Sequence, residues 1–130
     1  MSGTVSIEIA PGELIDKITI LKIKTENITD AAKLVNVRIE LETLEKSRNA
    51  AIVPSAEMDR LTADLKSVNQ ELWRIEDDIR DCERAGDFGE TFVALARAVY
   101  KTNDRRAALK REINVLLGSR LVEEKSYQPY

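Results

Sequence analysis

Apolar residues in the second half of the chain recur three and four positions apart, which is the spacing of one helix face. Between residues 55 and 85 this rhythm never fails, through Met58, Leu61, Leu65, Val68, Leu72, Ile75, Ile79 and Cys82. An unbroken stripe over four heptads predicts a coiled-coil-like seam on one long helix that ends at Gly86. A further helix is predicted for residues 90–117, and so short a turn requires the two to form an antiparallel hairpin.

Two shorter helices are predicted before the hairpin, at residues 11–28 and 30–48. Pro11 suits a first helical turn, and Asp30 is a good N-cap for the second helix. The second helix has a single apolar stripe. The first has two, of which one consists of Leu14, Ile18, Leu21 and Ile28, and the other of Glu13, Asp16, Ile20 and Ile23. Such a helix is expected to be buried from two directions, one of which a second subunit can supply.

The N-terminal stretch "TVSIEIA" alternates apolar and polar residues, which predicts a short β-strand at residues 4–10. A lone strand needs a partner, from either the polar tail at residues 119–130 or the same strand of a second copy. The expected fold is therefore all-α, a four-helix antiparallel bundle with a long helical hairpin and a short N-terminal strand, in one domain over residues 1–130. The two-sided helix and the unpaired strand together predict a homodimer.

The amino-acid composition limits the classes of function that the protein can have. A net charge of −3 argues against a nucleic-acid partner, and no apolar stretch approaches the length of a membrane span. The chain has no histidine and one cysteine, so zinc and histidine-based nucleophiles are excluded, and we expect no cofactor. Cys82 lies on the apolar stripe and is expected to be a buried, inert thiol. No disulfide within the chain and no signal peptide are expected, which favours the cytoplasm.

Several segments resemble a known family. They are "PGELIDKITILKIKTENITDAAKLVNVRIELETL", "LWRIEDDIRDCE", "FVALARAVYKTNDRRAALKREIN" and "GSRLVEEKSY", which span nearly the whole chain. The family consists of short bacterial proteins catalogued as a domain of unknown function, so the resemblance implies no reaction.

The fourth helix contains the one candidate site. Its stripe enters at Val99 and leaves at Ile113, but the positions between them are polar. Folding the hairpin about Gly86 brings residues of the third helix opposite these positions. The candidate region comprises Asn69, Trp73, Glu76, Asn103, Arg106 and Lys110, with Glu13 and Asp16 of the first helix as prospective partners.

Three interpretations of this region remain open. The stripe can drift along the helix, so that Arg106 and Lys110 extend into solvent. The cations can form structural ion pairs with Glu13, Asp16 or the tail acids Glu123 and Glu124. Alternatively, Arg106 can bind an anion or an acidic partner. We predict the ion pair, with Glu13 and Asp16 as partners, because carboxylates on an otherwise apolar stripe need cations.

The sequence favours a non-enzymatic interaction or scaffolding protein that acts as a homo-oligomer, with an unknown protein as a further conceivable partner. The alternative is a Mg²⁺-dependent hydrolase of a phosphorylated small molecule. It rests on Glu13-x-x-Asp16 and Glu42-x-x-Glu45, whose one-turn spacing is similar to the carboxylate pairs of all-α nucleotide pyrophosphohydrolases. The order of the residues is reversed relative to those enzymes, which weakens the likeness.

Overall fold

A computed structural model describes residues 3–130 and contains four helices over that range. These are α1 (Pro11–Asn27), α2 (Ala31–Ala51), α3 (Ala56–Ala85) and α4 (Glu90–Leu116). The expected caps are present, since the Asp30 side chain accepts a hydrogen bond from Lys33 N and Ser55 accepts one from Met58 N. Gly86 ends α3 with φ at 67°, a conformation that glycine adopts without strain. The all-α prediction is confirmed, and the helix ends differ from prediction by at most three residues.

The four helices are arranged in three layers, with α1 in the middle. The α3–α4 hairpin forms the first layer, α1 contacts all three other helices, and α2 contacts α1 alone. One face of α1 carries Asp16, Thr19 and Ile23 toward the hairpin, and the opposite face carries Leu14, Ile18 and Leu21, all of them buried. The predicted burial of α1 from two directions is therefore correct, but both coverings belong to this chain and no second subunit is needed for them.

The hydrophobic core lies where α1 crosses the open end of the hairpin. Ile15 of α1 packs there with residues of the hairpin, namely Met58, Leu61, Leu65 and Ile113. Ile52, from the linker after α2, packs against the same cluster. The linker thus fixes where α3 begins relative to α1.

The seam of α3 is less buried between Leu72 and Ile79, where α1 no longer covers it, and is buried again at Cys82 near the turn. Leu65 is 0% exposed and Val68 is 3% exposed. Farther along the same stripe, Leu72, Ile75 and Ile79 are only half-buried, because two helices without a third leave one side of their contact open. The hairpin therefore projects beyond α1. We call this projecting part the two-helix arm; it consists of α3 from Leu72 onward and the part of α4 that packs against it.

The predicted strand at residues 4–10 is wrong within the residues that the structure describes. Residues 3–130 contain no strand, and the segment before α1 has no regular secondary structure. On its apolar side Val5 and Ile7 are 85% and 73% exposed, and only Ile9, next to α1, is half-buried. An alternating sequence forms a strand only when a neighbour accepts its backbone hydrogen bonds, and no described segment does so for residues 5–9.

The uneven burial of the seam yields a stability prediction. Leu65→Ala should cost about 2 to 5 kcal/mol in the free energy of unfolding, since the cavity that it leaves is closed on all sides. Leu72→Ala should cost clearly less, because the half-buried side chain loses fewer contacts. Urea titration of the two variants measures both values. Equal losses at the two positions would contradict the described end of the α1 layer.

Candidate functional site

The centre of the candidate site is the carboxylate of Asp16, which is 0% exposed. Arg106 of α4 donates two hydrogen bonds to it from its guanidinium, from Nε to Oδ1 at 2.9 Å and from Nη2 to Oδ2 at 2.5 Å. This two-bond geometry is the strongest form of arginine–carboxylate contact. The contact with Asp16 raises the pKa of Arg106 further above its already high value, although burial opposes the rise. The ion pair predicted between Arg106 and α1 is thus present.

Two neutral side chains complete the surroundings of Asp16. Asn69 of α3 donates its amide Nδ2 to Asp16 Oδ1 at 2.9 Å and to Thr19 Oγ1 at 3.0 Å. Thr19 in turn donates its hydroxyl to the backbone oxygen of Asp16 at 2.8 Å. Both Asn69 and Thr19 are buried. In the described part of the chain no buried side-chain nitrogen or oxygen lacks a hydrogen-bond partner, as a stable buried network requires.

A second ion pair lies one helical turn away, around Lys110. Its Nζ lies 2.7 Å from Glu13 Oε2 and 3.0 Å from Glu123 Oε2. The hydrogen bond from Lys110 holds the pKa of Glu13 below its ordinary value, against the opposing effect of burial. For Lys110, burial alone would lower the pKa, but the bonds to Glu13 and Glu123 outweigh it and raise the pKa. The tail acid Glu123 therefore joins the network, whereas Glu124 pairs with Arg111.

The start of α1 shows a contact that the sequence analysis missed. The Gly12 backbone N–H donates to Asn114 Oδ1 at 2.8 Å, and both residues are buried. An N-terminal N–H of a helix has no partner within that helix, and the Ala10 side chain forms no cap here, so α4 supplies the acceptor. A Cβ on Gly12 would overlap the backbone oxygen of Lys110. A glycine directly after the helix-starting proline was the available signal for this close approach.

The remaining candidate residues lie beside the network without joining it closely. Asn103 accepts a long hydrogen bond of 3.5 Å from Arg106 Nη1. Trp73 and Glu76 instead line a cleft of about 470 Å³ where α1 ends, and Glu76 pairs with Arg80. We call this cleft the distal groove. Its lining residues are Ile20 and Ile23 of α1 and, on the hairpin, Asn69, Leu72, Trp73, Glu76, Asp77, Arg80, Asn103 and Arg106.

The charges of the network suit structural ion pairs better than an anion site. Two cations, Arg106 and Lys110, are met by three carboxylates, those of Glu13, Asp16 and Glu123. An added phosphate or carboxylate would have to displace a carboxylate already in place. The cations also do not extend freely into solvent, since the Lys110 side chain is 13% exposed.

Three of the four carboxylates in the hydrolase alternative, all but that of Glu42, form ion pairs with cations of this chain. Glu13 and Asp16 bind Lys110 and Arg106, and Glu45 binds Arg48 at 3.3 Å. Residues 3–130 contain no group of three or more histidine, cysteine, aspartate or glutamate side chains that could hold a metal ion. Cys82 is a buried free thiol whose pKa is raised by burial and by the nearby carboxylates of Asp87, Asp81 and Asp78. A raised pKa leaves little of the reactive thiolate at neutral pH.

The energetic weight of the network is testable against a neighbouring arginine. Arg106→Leu should destabilise the protein by about 3 to 5 kcal/mol, because it leaves the buried Asp16 carboxylate unpaired. The matched control is Arg105→Leu, which breaks an exposed ion pair with Glu71 and should cost no more than about 1 kcal/mol. Urea titration measures both variants.

A double-mutant cycle then assigns the loss to the pair. Arg106→Leu combined with Asp16→Leu should recover much of the stability that Arg106→Leu loses. Additive losses from the two changes would mean that Asp16 and Arg106 are not energetically coupled.

Comparison with models of known protein families gives a match over almost the whole chain. The model of a family of unknown function, DUF6165, matches residues 5–130. No curated protein and no solved structure matches the chain. None of the helices in residues 3–130 has the length and apolar character needed to cross a membrane. Because the family model spans almost the entire chain, this protein belongs to the DUF6165 family of unknown function.

Proposed function

We propose that this protein is a non-enzymatic interaction protein that works as a homodimer. The observation that carries the proposal is the two-helix arm of the hairpin, whose apolar seam continues past the end of α1. Leu72, Ile75 and Ile79 remain half-buried there, although they belong to the same stripe as the fully buried Leu65. A third or fourth helix would complete the burial of this seam, as in a coiled coil or helical bundle.

The arrangement of charged groups supports a binding role over catalysis. The polar residues of the candidate site bind one another across α1, α3 and α4, so their chemistry is used to hold the helices together. The arm presents half-buried apolar side chains beside exposed charged groups of both signs. This composition suits a protein partner, in which apolar contact supplies affinity and charge supplies selectivity.

The compartment that we propose is the cytoplasm of a bacterium. The single cysteine supports it, because a buried free thiol that forms no disulfide suits a reducing environment. The bacterial setting is that of the family that the sequence resembles. A scaffolding role for the homodimer would leave the opposite faces of the two copies available to a further protein.

The homodimer is tested by sedimentation equilibrium. At micromolar concentration the protein should sediment with twice the mass of the chain, and the apparent mass should fall on dilution as expected for mass action. In the same samples neither EDTA nor added Mg²⁺ should change the melting temperature. A chain that stays monomeric at high concentration contradicts the homodimer, and a melting temperature that rises with Mg²⁺ favours the hydrolase.

A further inference from the structure

The first half of α2 exposes an apolar patch beside a cation. Val35 and Ile39, one helical turn apart, are 55% and 60% exposed. Arg38 follows Val35 by three positions and so borders the same side of the helix. Residues 31–39 include two cations, Lys33 and Arg38, and no acid. Neither cation forms an ion pair with any residue that the structure describes.

The distal groove contains one carboxylate that no described cation pairs with, that of Asp77. The other charged groups of its lining are paired, Arg80 with Glu76 and Arg106 with Asp16. Residues 76–83 of α3 hold five acids and one cation. Arg80 pairs with Glu76, and Arg84 pairs with Asp81, which leaves Asp77, Asp78 and Glu83 without an ion pair in residues 3–130. Asp77 lines the groove beside the apolar side chains of Leu72 and Trp73. The groove thus combines apolar side chains with a carboxylate that forms no ion pair in the described chain.

The layers of the fold give the two surfaces complementary shapes. At one end the molecule is three layers thick, from the hairpin through α1 to α2, and at the other end only the hairpin remains. Packed helices are about 8 to 10 Å apart, so α2 stands roughly two such spacings above the hairpin. In a dimer with a two-fold axis, the three-layer end of each copy would pack against the end of the other copy at which only the hairpin remains.

We propose that the occupant of the distal groove is the first half of α2 from a second copy of this chain, an inference that rests on the homodimer proposed above. Val35 and Ile39 of one copy contact Leu72 and Trp73 of the other, and Arg38 faces Asp77. The two-fold axis repeats this contact, so each dimer contains it twice.

Charge selects this pairing over the symmetric alternatives. Hairpin arms packed against each other would bring the acids of residues 76–83 close to the same acids of the partner. Two α2 patches packed together would oppose their cations. Only the pairing of α2 with the groove brings opposite charges together at both contacts, and like charges across an interface suppress wrong partners.

A charge exchange tests the inference. Arg38→Glu places a carboxylate against Asp77 twice per dimer, and Asp77→Arg places a guanidinium against Arg38 twice. Each variant alone should raise the dimer dissociation constant by about tenfold or more, by sedimentation equilibrium at low salt. An equimolar mixture of the two should dimerise as well as the wild type, because both of its contacts again join opposite charges. Lys101→Glu is the matched control. Lys101 is exposed and lies about 200° around α4 from the groove residue Asn103, so its change should leave the dissociation constant unchanged.

Each outcome separates this inference from the homodimer itself. A monomeric wild type overturns both. A wild-type dimer that neither Arg38→Glu nor Asp77→Arg weakens overturns the pairing of α2 with the groove and leaves the homodimer intact. A dimer that is insensitive to both changes, yet lost when residues 1–9 are deleted, would assign the groove to the N-terminal segment of the second copy. Weakening by each variant and recovery in the mixture support the inference.

Discussion

The structure depends on one buried anion, the carboxylate of Asp16 in the middle of α1. A carboxylate with no exposed surface is costly unless a cation and hydrogen-bond donors surround it. Arg106 from α4 and Asn69 from α3 supply both, and they come from the two helices of the hairpin. Because these partners occupy fixed places on α3 and α4, α1 has one position and one rotation that satisfy them. A shift of α1 by one residue would move Asp16 away from the guanidinium and bring either the apolar Ile15 or the cationic Lys17 to its place. The network therefore selects one packing of α1 on the hairpin.

The rest of the architecture follows from where α1 lies. α2 packs only on α1, so its position depends on the Asp16 network that holds α1 in place. The close approach of Gly12 to Lys110 and the bond to Asn114 hold the start of α1 against α4 and complete the alignment. Since α1 has only 17 residues and α3 has 30, the hairpin extends past it. The exposed arm, which we propose as a contact surface, is thus a consequence of the different helix lengths.

Much of this fold was predictable because its signals are local. The seam from Met58 to Cys82 and the caps at Asp30 and Ser55 each depend on a few neighbouring residues. The ion pair was predictable because both partners interrupt apolar stripes, and the stripes meet. The bond from Gly12 to Asn114 joins residues far apart in sequence and has no periodic pattern. The prediction of a strand at residues 4–10 was wrong for a related reason. Alternating apolar and polar residues are a property of the segment alone and do not show whether a neighbouring strand is available. The half-burial of Leu72 could not be predicted either, because the apolar spacing within α3 does not show where α1 ends.

Amide hydrogen exchange in the Arg106→Leu variant tests the central claim most directly, because it reports the stability of each helix separately. If the Asp16 network fixes α1, its loss should reduce the protection of amides in α1 and α2 together, and by a larger factor than in the part of α3 and α4 that forms the hairpin arm. The Arg105→Leu variant provides the reference, since its ion pair with Glu71 joins only the two helices of the hairpin. Unchanged amide protection of α1 in Arg106→Leu would contradict the central claim. So would a loss of protection that is equal in all four helices, in an Arg106→Leu variant whose free energy of unfolding is like that of Arg105→Leu.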